Sequence, residues 1–122
     1  MICLFGEIFG QHYLQVTHSQ HVVGQFNSHL KDCLILYADE AFYAGDKQHE
    51  SVLKTLITEE MRLIEYKGKE KIVLPNYSRL MMSSNKEWVA PVDIDDRRFF
   101  ILDVGKKHAK DNVYFSAIYD QM

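Results

Sequence analysis

A chain of 122 residues, 47% apolar and 25% charged, has room for one domain with one modest core. No apolar run approaches the ~18 residues of a membrane-spanning helix, and Met1-Ile2-Cys3-Leu4-Phe5 lacks a signal peptide's basic flank and meets Glu7 almost at once. A net charge of -3 excludes a globally basic nucleic-acid binder, but residues 1–61 hold three bases against eight acids, and residues 62–122 eleven against nine.

In chain order, Ile2, Leu4, Phe5, Ile8 and Phe9 suggest the end of a helix, with Gly10 as its stop. Tyr13–Val16 is a candidate short strand. Thr17-His18-Ser19 offers an N-cap for a helix running to about Leu30. Cys33-Leu34-Ile35-Leu36-Tyr37-Ala38 is a short apolar run suited to a strand covered on both faces, as in a parallel sheet. Two carboxylates, Asp39 and Glu40, follow at once. They are too costly to bury unpaired, which places them at the strand's C-terminal edge, where open α/β sheets bind ligands.

Ala44–Lys47 reads as a turn, and Val52, Leu53, Leu56 and Ile57 have helical spacing. Arg62–Tyr66 and Ile72–Leu74 form two strand-like runs around Lys67-Gly68-Lys69-Glu70-Lys71, a hairpin with a basic tip and a glycine for a left-handed position. Pro75-Asn76 closes it. Ser78–Ser84 is a second candidate buried strand, ending at Asn85. A loop over 86–96 carries Trp88, Asp93, Asp95 and Asp96. Arg97-Arg98 precede a third candidate strand, Phe99–Val104, and Asp111 can cap a last helix. Cys3 and Cys33 show no CxxC or metal spacing and read as reduced core thiols of a cytosolic protein. His18 and His21 have no second pair at zinc-ligand spacing, and no GxSxG elbow supports a Ser/His/Asp hydrolase.

The polar strand ends suit phosphoanhydride hydrolysis: a carboxylate for the water shell of Mg²⁺, a second to deprotonate water, a neutral amide, and arginines for developing charge. Their order is hydrophobic strand–Asp39-Glu40, basic hairpin at Lys67-Gly68, strand–Ser83-Ser84-Asn85, then Asp96-Arg97-Arg98. With Phe26–Leu30 and Leu53–Thr58, this resembles superfamily 3 helicases, AAA+ ATPases of viruses, phages and plasmids. The similarity is greatest to the helicase part of primase-helicase (primase-polymerase) proteins.

The resemblance implies a partial P-loop NTPase core of α/β class, with a mainly parallel sheet and an inserted β-hairpin, as one domain over residues 1–122. It implies Asp39 toward Mg²⁺, Glu40 as the water-activating base and Asn85 as the polar sensor. Arg97 or Arg98 would be the arginine finger reaching the next subunit's ATP. Lys67, Lys69 and Lys71 would track single-stranded DNA, with Tyr66 available for stacking. The implied setting is a homo-oligomeric ring, a hexamer by family pattern, in the cytoplasm of a bacterial host. No GxxxxGK[ST] loop occurs in the sequence, so the resemblance assigns ATP and Mg²⁺ to a complete protein rather than to this chain alone. The chain reads as an internal fragment, whose uncovered apolar surface favours non-native dimers. Two alternatives stand beside this reading: a non-catalytic P-loop remnant that binds single-stranded nucleic acid or a partner chain, and an interaction protein of unrelated α/β fold. For Lys106, Lys107 and Lys110 a solvated loop is the expectation, and for Arg97-Arg98 the bland alternative is an ion pair with Asp93, Asp95 or Asp96.

Overall fold

The computed structural model describes residues 2–41, 47–85 and 96–121. Helix α1 (Ile2–Glu7) leads through a 3-10 turn (Gly10–His12) into strand β1 (Tyr13–Val16). Then follow α2 (Gln20–Val23), a second 3-10 turn (Ser28–Leu30), β2 (Ile35–Asp39) and α3 (Lys47–Thr58). Strands β3 (Met61–Ile64), β4 (Ile72–Pro75) and β5 (Arg79–Ser83) come next, and helix α4 (Asn112–Tyr119) comes last.

β2 is the centre of a three-stranded parallel sheet of order β1-β2-β5. Leu36 lies opposite Leu14 and Leu80, and Ala38 opposite Val16 and Met82. Side chains alternate along a strand, so these six share one face. That face packs with Val22, Leu30, Cys33, Leu53 and Leu56 into the core. Leu36 and Leu53 are fully buried there, which at ~25 cal/mol per Å² of apolar surface makes them leading contributors to stability. The opposite face carries Tyr13, Gln15, Tyr37, Asp39, Met81 and Ser83. Helix α1 approaches it through Gly6, where a Cβ would stand 2.6 Å from the Tyr13 ring.

The hairpin forms as expected. β3 and β4 pair antiparallel as a separate two-stranded sheet, and Gly68 adopts φ +71° at the tip. Asn76, just past β4, ties the hairpin to the rest. Its Nδ2 donates to the carbonyls of Leu56 and Glu59, and its Oδ1 accepts from Arg62 and from the Ser78 N–H.

Three expectations are corrected. The helix expected from 17 to 30 is only Gln20–Val23 plus the 3-10 turn. Ser19 makes no side-chain cap, and Gly24 turns the chain into extended backbone at φ -69°, ψ 161°. Asn27 then pairs with the hairpin edge: its Nδ2 donates to the Leu63 carbonyl and its Oδ1 accepts from the Glu65 N–H. Those bonds reward leaving the helix. The strand expected at Ser78–Ser84 forms as β5, but its residues are exposed or half-buried, because β2 is its one partner among the described residues. Phe99–Val104 forms no strand. Phe100, Ile101, Leu102 and Val104 are all exposed, and an apolar run without a neighbouring ladder has nothing to pair with. The last helix is capped as expected, Asp111 Oδ1 accepting from the Tyr114 N–H at 3.0 Å. The turn at Ala44–Lys47 and the loop with Trp88, Asp93 and Asp95 lie largely or wholly outside the described residues, as does the Cys3 side chain. Cys33 is a free, buried thiol, and burial pushes its pKa up.

Candidate functional site

The parallel register brings the expected strand ends to one rim. Asp39 stands opposite Ser83, and the Glu40 N–H extends the ladder to the Ser83 carbonyl at 3.0 Å. Glu40 then takes φ 51°, a left-handed conformation that costs a non-glycine residue roughly 1–3 kcal/mol and recurs at functional sites. The turn sets Glu40's carboxylate against Asn85, whose Nδ2 donates to Oε1 at 2.6 Å. Asp39, Glu40 and Asn85 therefore form one cluster, built by residues far apart in the chain.

Asp39 is held more closely than its position alone required. Its Oδ1 accepts from Ser83 Oγ at 2.7 Å and lies 3.1 Å from the Tyr37 hydroxyl, and the Tyr37 and Ser83 hydroxyls are 2.7 Å apart. Among the described residues its Oδ2 meets only a long contact from Gln15 Nε2 at 3.5 Å. The sequence reading missed Tyr37 and Gln15 and left Ser83 without a role. One signal was available: Tyr37 and Asp39 are two apart in a strand, so they share a face.

This donor set is one half-buried carboxylate with hydroxyl neighbours, all hard oxygens. It fits Mg²⁺ held by one or two carboxylates and otherwise by water and substrate oxygens. Among the described residues no group of three or more His, Cys, Asp or Glu comes together. His18 and His21 place their rings 5.8 Å apart, and His29 Nε2 bonds the His21 carbonyl.

Arg98 pairs with Asp96: both its backbone N–H and its guanidinium bond Asp96 Oδ1, at 3.0 and 3.1 Å. The backbone bond is the main reason the Asp96 carboxyl titrates below its ordinary range. The bland alternative for this arginine is thus present in the structure. Arg98 also lines a cleft of about 750 Å³ beside β5, together with Ser83, Ser84, Leu80, Met82, Phe99 and Ile101. Arg97 is exposed.

The hairpin lysines differ from one another. Lys67 is exposed next to the Gly68 tip. Lys69 Nζ lies 5.8 Å from the centre of the Tyr66 ring. Lys71 Nζ pairs with Glu65 at 3.0 Å, which neutralises part of the basic charge expected there. The hairpin belongs to a different sheet from the carboxylate rim.

The chain as a whole is similar to several known proteins. Residues 1–98 match the model of a family described as "Family of unknown function (DUF5906)". A DNA primase-polymerase of Nitratiruptor phage NrS-1 is 30% identical over 108 residues, covering 84% of this chain and 15% of that protein. Structures of the NrS-1 C-terminal region match with TM-scores of 0.71 and 0.67, at 27% and 26% identity, over 80% of this chain and 24% and 23% of theirs. The chain therefore spans a small part of these relatives. No helix among the described residues is long and apolar enough to cross a membrane.

Proposed function

The chain belongs to the DUF5906 family, and from the Asp39-Glu40-Asn85 cluster on the rim of its parallel sheet we propose that it is part of an ATP-dependent DNA helicase of the superfamily 3 type, acting in phage or plasmid replication. One observation carries the reading: two adjacent carboxylates have different partners. Asp39 is held from inside the sheet by hydroxyls, and Glu40 is turned outward onto an amide. Those environments suit two roles. The similarity to a phage primase-polymerase supports the setting in DNA replication.

In this mechanism Asp39 would hold the water shell of Mg²⁺, which would supply positive charge against the substrate phosphates. Glu40 takes a proton from the water that attacks the terminal phosphorus of ATP, while the bond to the leaving ADP oxygen breaks. Asn85 fixes one Glu40 oxygen, so that the other faces the water. Arg98 or Arg97 stabilises transition-state charge at a neighbouring subunit's site, which requires a heterologous interface of the kind that builds a ring. The Lys67–Lys71 hairpin follows the phosphates of one DNA strand.

The reading also needs a phosphate-cradling loop on a further strand, and the β5 edge supports room for one. The cleft beside β5 holds about 750 Å³. In a complete protein carrying this segment, Glu40→Gln is expected to abolish ATP turnover and spare ATP binding; unchanged turnover removes Glu40 as the base.

A second reading, a non-catalytic module for single-stranded nucleic acid, is favoured by the exposed Lys67 on an independent hairpin. It predicts salt-sensitive binding by this chain, with Lys67→Ala lowering the salt slope by ~0.7 per lost phosphate contact. Binding that ignores Lys67→Ala and Lys69→Ala rules the hairpin out.

A further inference from the structure

Tyr37 occupies a strand position whose neighbours Leu36 and Ala38 are wholly apolar and buried. Tyr37 itself is 6% exposed. A phenylalanine would satisfy the packing there. The hydroxyl needs a partner when buried, and it has two at the rim: Ser83 Oγ at 2.7 Å and Asp39 Oδ1 at 3.1 Å. One phenolic proton serves the shorter contact best. Ser83 then accepts from Tyr37 and donates its own proton to Asp39 Oδ1 at 2.7 Å. Were both hydroxyls to donate to Asp39 instead, two oxygen lone pairs would face each other at 2.7 Å.

From this geometry we infer that Tyr37 and Ser83 are positioning residues, a hydroxyl relay that holds Asp39 Oδ1 against the sheet and presents Oδ2 to a divalent cation. The inference rests on the assignment of Asp39 as the cation's carboxylate. Three features make the relay specific. Tyr37, Asp39 and Ser83 share one face because the register sets Asp39 opposite Ser83. The near-parallel Tyr13 ring, 6.5 Å from that of Tyr37, backs the phenol on the same face. Among the described residues Asp39 Oδ2 keeps only the 3.5 Å contact from Gln15, so a cation's water shell displaces little there to reach it. A carboxylate fixed in one rotamer meets a cation without first losing rotational freedom, and partners that orient metal-binding groups typically change affinity 10–100-fold.

The test uses this chain and Mn²⁺ alone, read by paramagnetic broadening of backbone amide resonances. In the unaltered chain Mn²⁺ is expected to broaden the amides of Asp39, Glu40, Ser83 and Ser84, and Asp39→Asn to abolish the effect. Ser83→Ala and Tyr37→Phe should each require roughly tenfold more Mn²⁺ for the same broadening, while Ser83→Thr, which keeps the hydroxyl, should match the unaltered chain. Amide shifts in β1 and α3 monitor the fold, and a structural loss would move them whereas loss of the relay would not. If Asp39→Asn abolishes broadening but Ser83→Ala and Tyr37→Phe leave it unchanged, the relay is overturned and the Asp39 assignment stands. If broadening at these amides is absent, or survives Asp39→Asn, the Asp39 assignment fails and the relay fails with it.

Discussion

Asn76→Ala is expected to destabilise this chain markedly although the residue is half-exposed. Its side chain makes four bonds: Nδ2 to the Leu56 and Glu59 carbonyls at 2.9 Å each, and Oδ1 from Arg62 at 2.6 Å and from the Ser78 N–H at 3.2 Å. They join the C-terminal turn of α3, the hairpin and the entry to β5. Neutral bonds contribute ~0.5–1.5 kcal/mol each and a bond to a charged group ~1.5–3, a gross figure of roughly 3–7.5 kcal/mol. Water replaces part of this at a half-exposed site, leaving an expected loss of about 2–3 kcal/mol. Arg62 adds to the cost. Its guanidinium is partly desolvated, which lowers its pKa, and its other acceptor among the described residues is the Leu30 carbonyl at 3.1 Å. The assay is urea unfolding followed by circular dichroism. With a slope of ~1–3 kcal/mol per molar, the midpoint should fall by about 0.7–3 M. Asn76→Asp keeps an acceptor for Arg62 but faces two carbonyls with a carboxylate, and should be no more stable than Asn76→Ala. The pair Asn76→Ala and Arg62→Ala should couple by at least ~0.5 kcal/mol. A loss below ~0.5 kcal/mol with no coupling would refute the reasoning.

Leu53→Ala, at a fully buried position, should cost about 2–5 kcal/mol in the same assay, whereas Val73→Ala on the exposed hairpin should stay within about 0.5 kcal/mol of the unaltered chain. The Asp111 carboxyl titrates below its ordinary range, chiefly through the Tyr114 N–H and then through His108. Its capping contribution is therefore complete above the unfolded-state pKa and lost as pH falls through the depressed folded-state value. The Tyr114 amide shift should report that loss at acid pH, and Asp111→Asn, which keeps an acceptor but not the titration, should flatten it. Cys33 should react with iodoacetamide only as fast as the chain opens, because burial both shields the thiol and raises its pKa; rapid labelling mapped to Cys33 in native buffer would contradict its placement.

Much of the sheet was legible because its elements carry local signals. Tyr13–Val16 and the run before Asp39 are apolar segments bounded by polar residues, and Gly68 announces the hairpin by the left-handed conformation it supplies. The segment from 17 to 30 was misread because its deciding bonds are remote: Asn27 leaves the helix for the hairpin edge, a partner 36 and 38 residues away. Phe99–Val104 was misread for the converse reason. Its apolarity permits a strand, but a strand exists only where a ladder receives it, and composition does not report the ladder.

The candidate site divides along the same line. Asp39, Glu40 and Asn85 could be placed on one rim because adjacent parallel strands end on the same side. Tyr37 and Ser83 could not be joined to them before the register was known. A slip of one residue between β2 and β5 sends every side chain to the other face, parting the Ser83 hydroxyl from Asp39. What holds the register is the opposite face, where Leu36 and Ala38 pack between Leu14, Val16, Leu80 and Met82. The carboxylate rim is thus positioned by the core beneath it. A cavity cut beside Leu36 should loosen the geometry at Asp39 even though the Leu36 side chain lies on the opposite face.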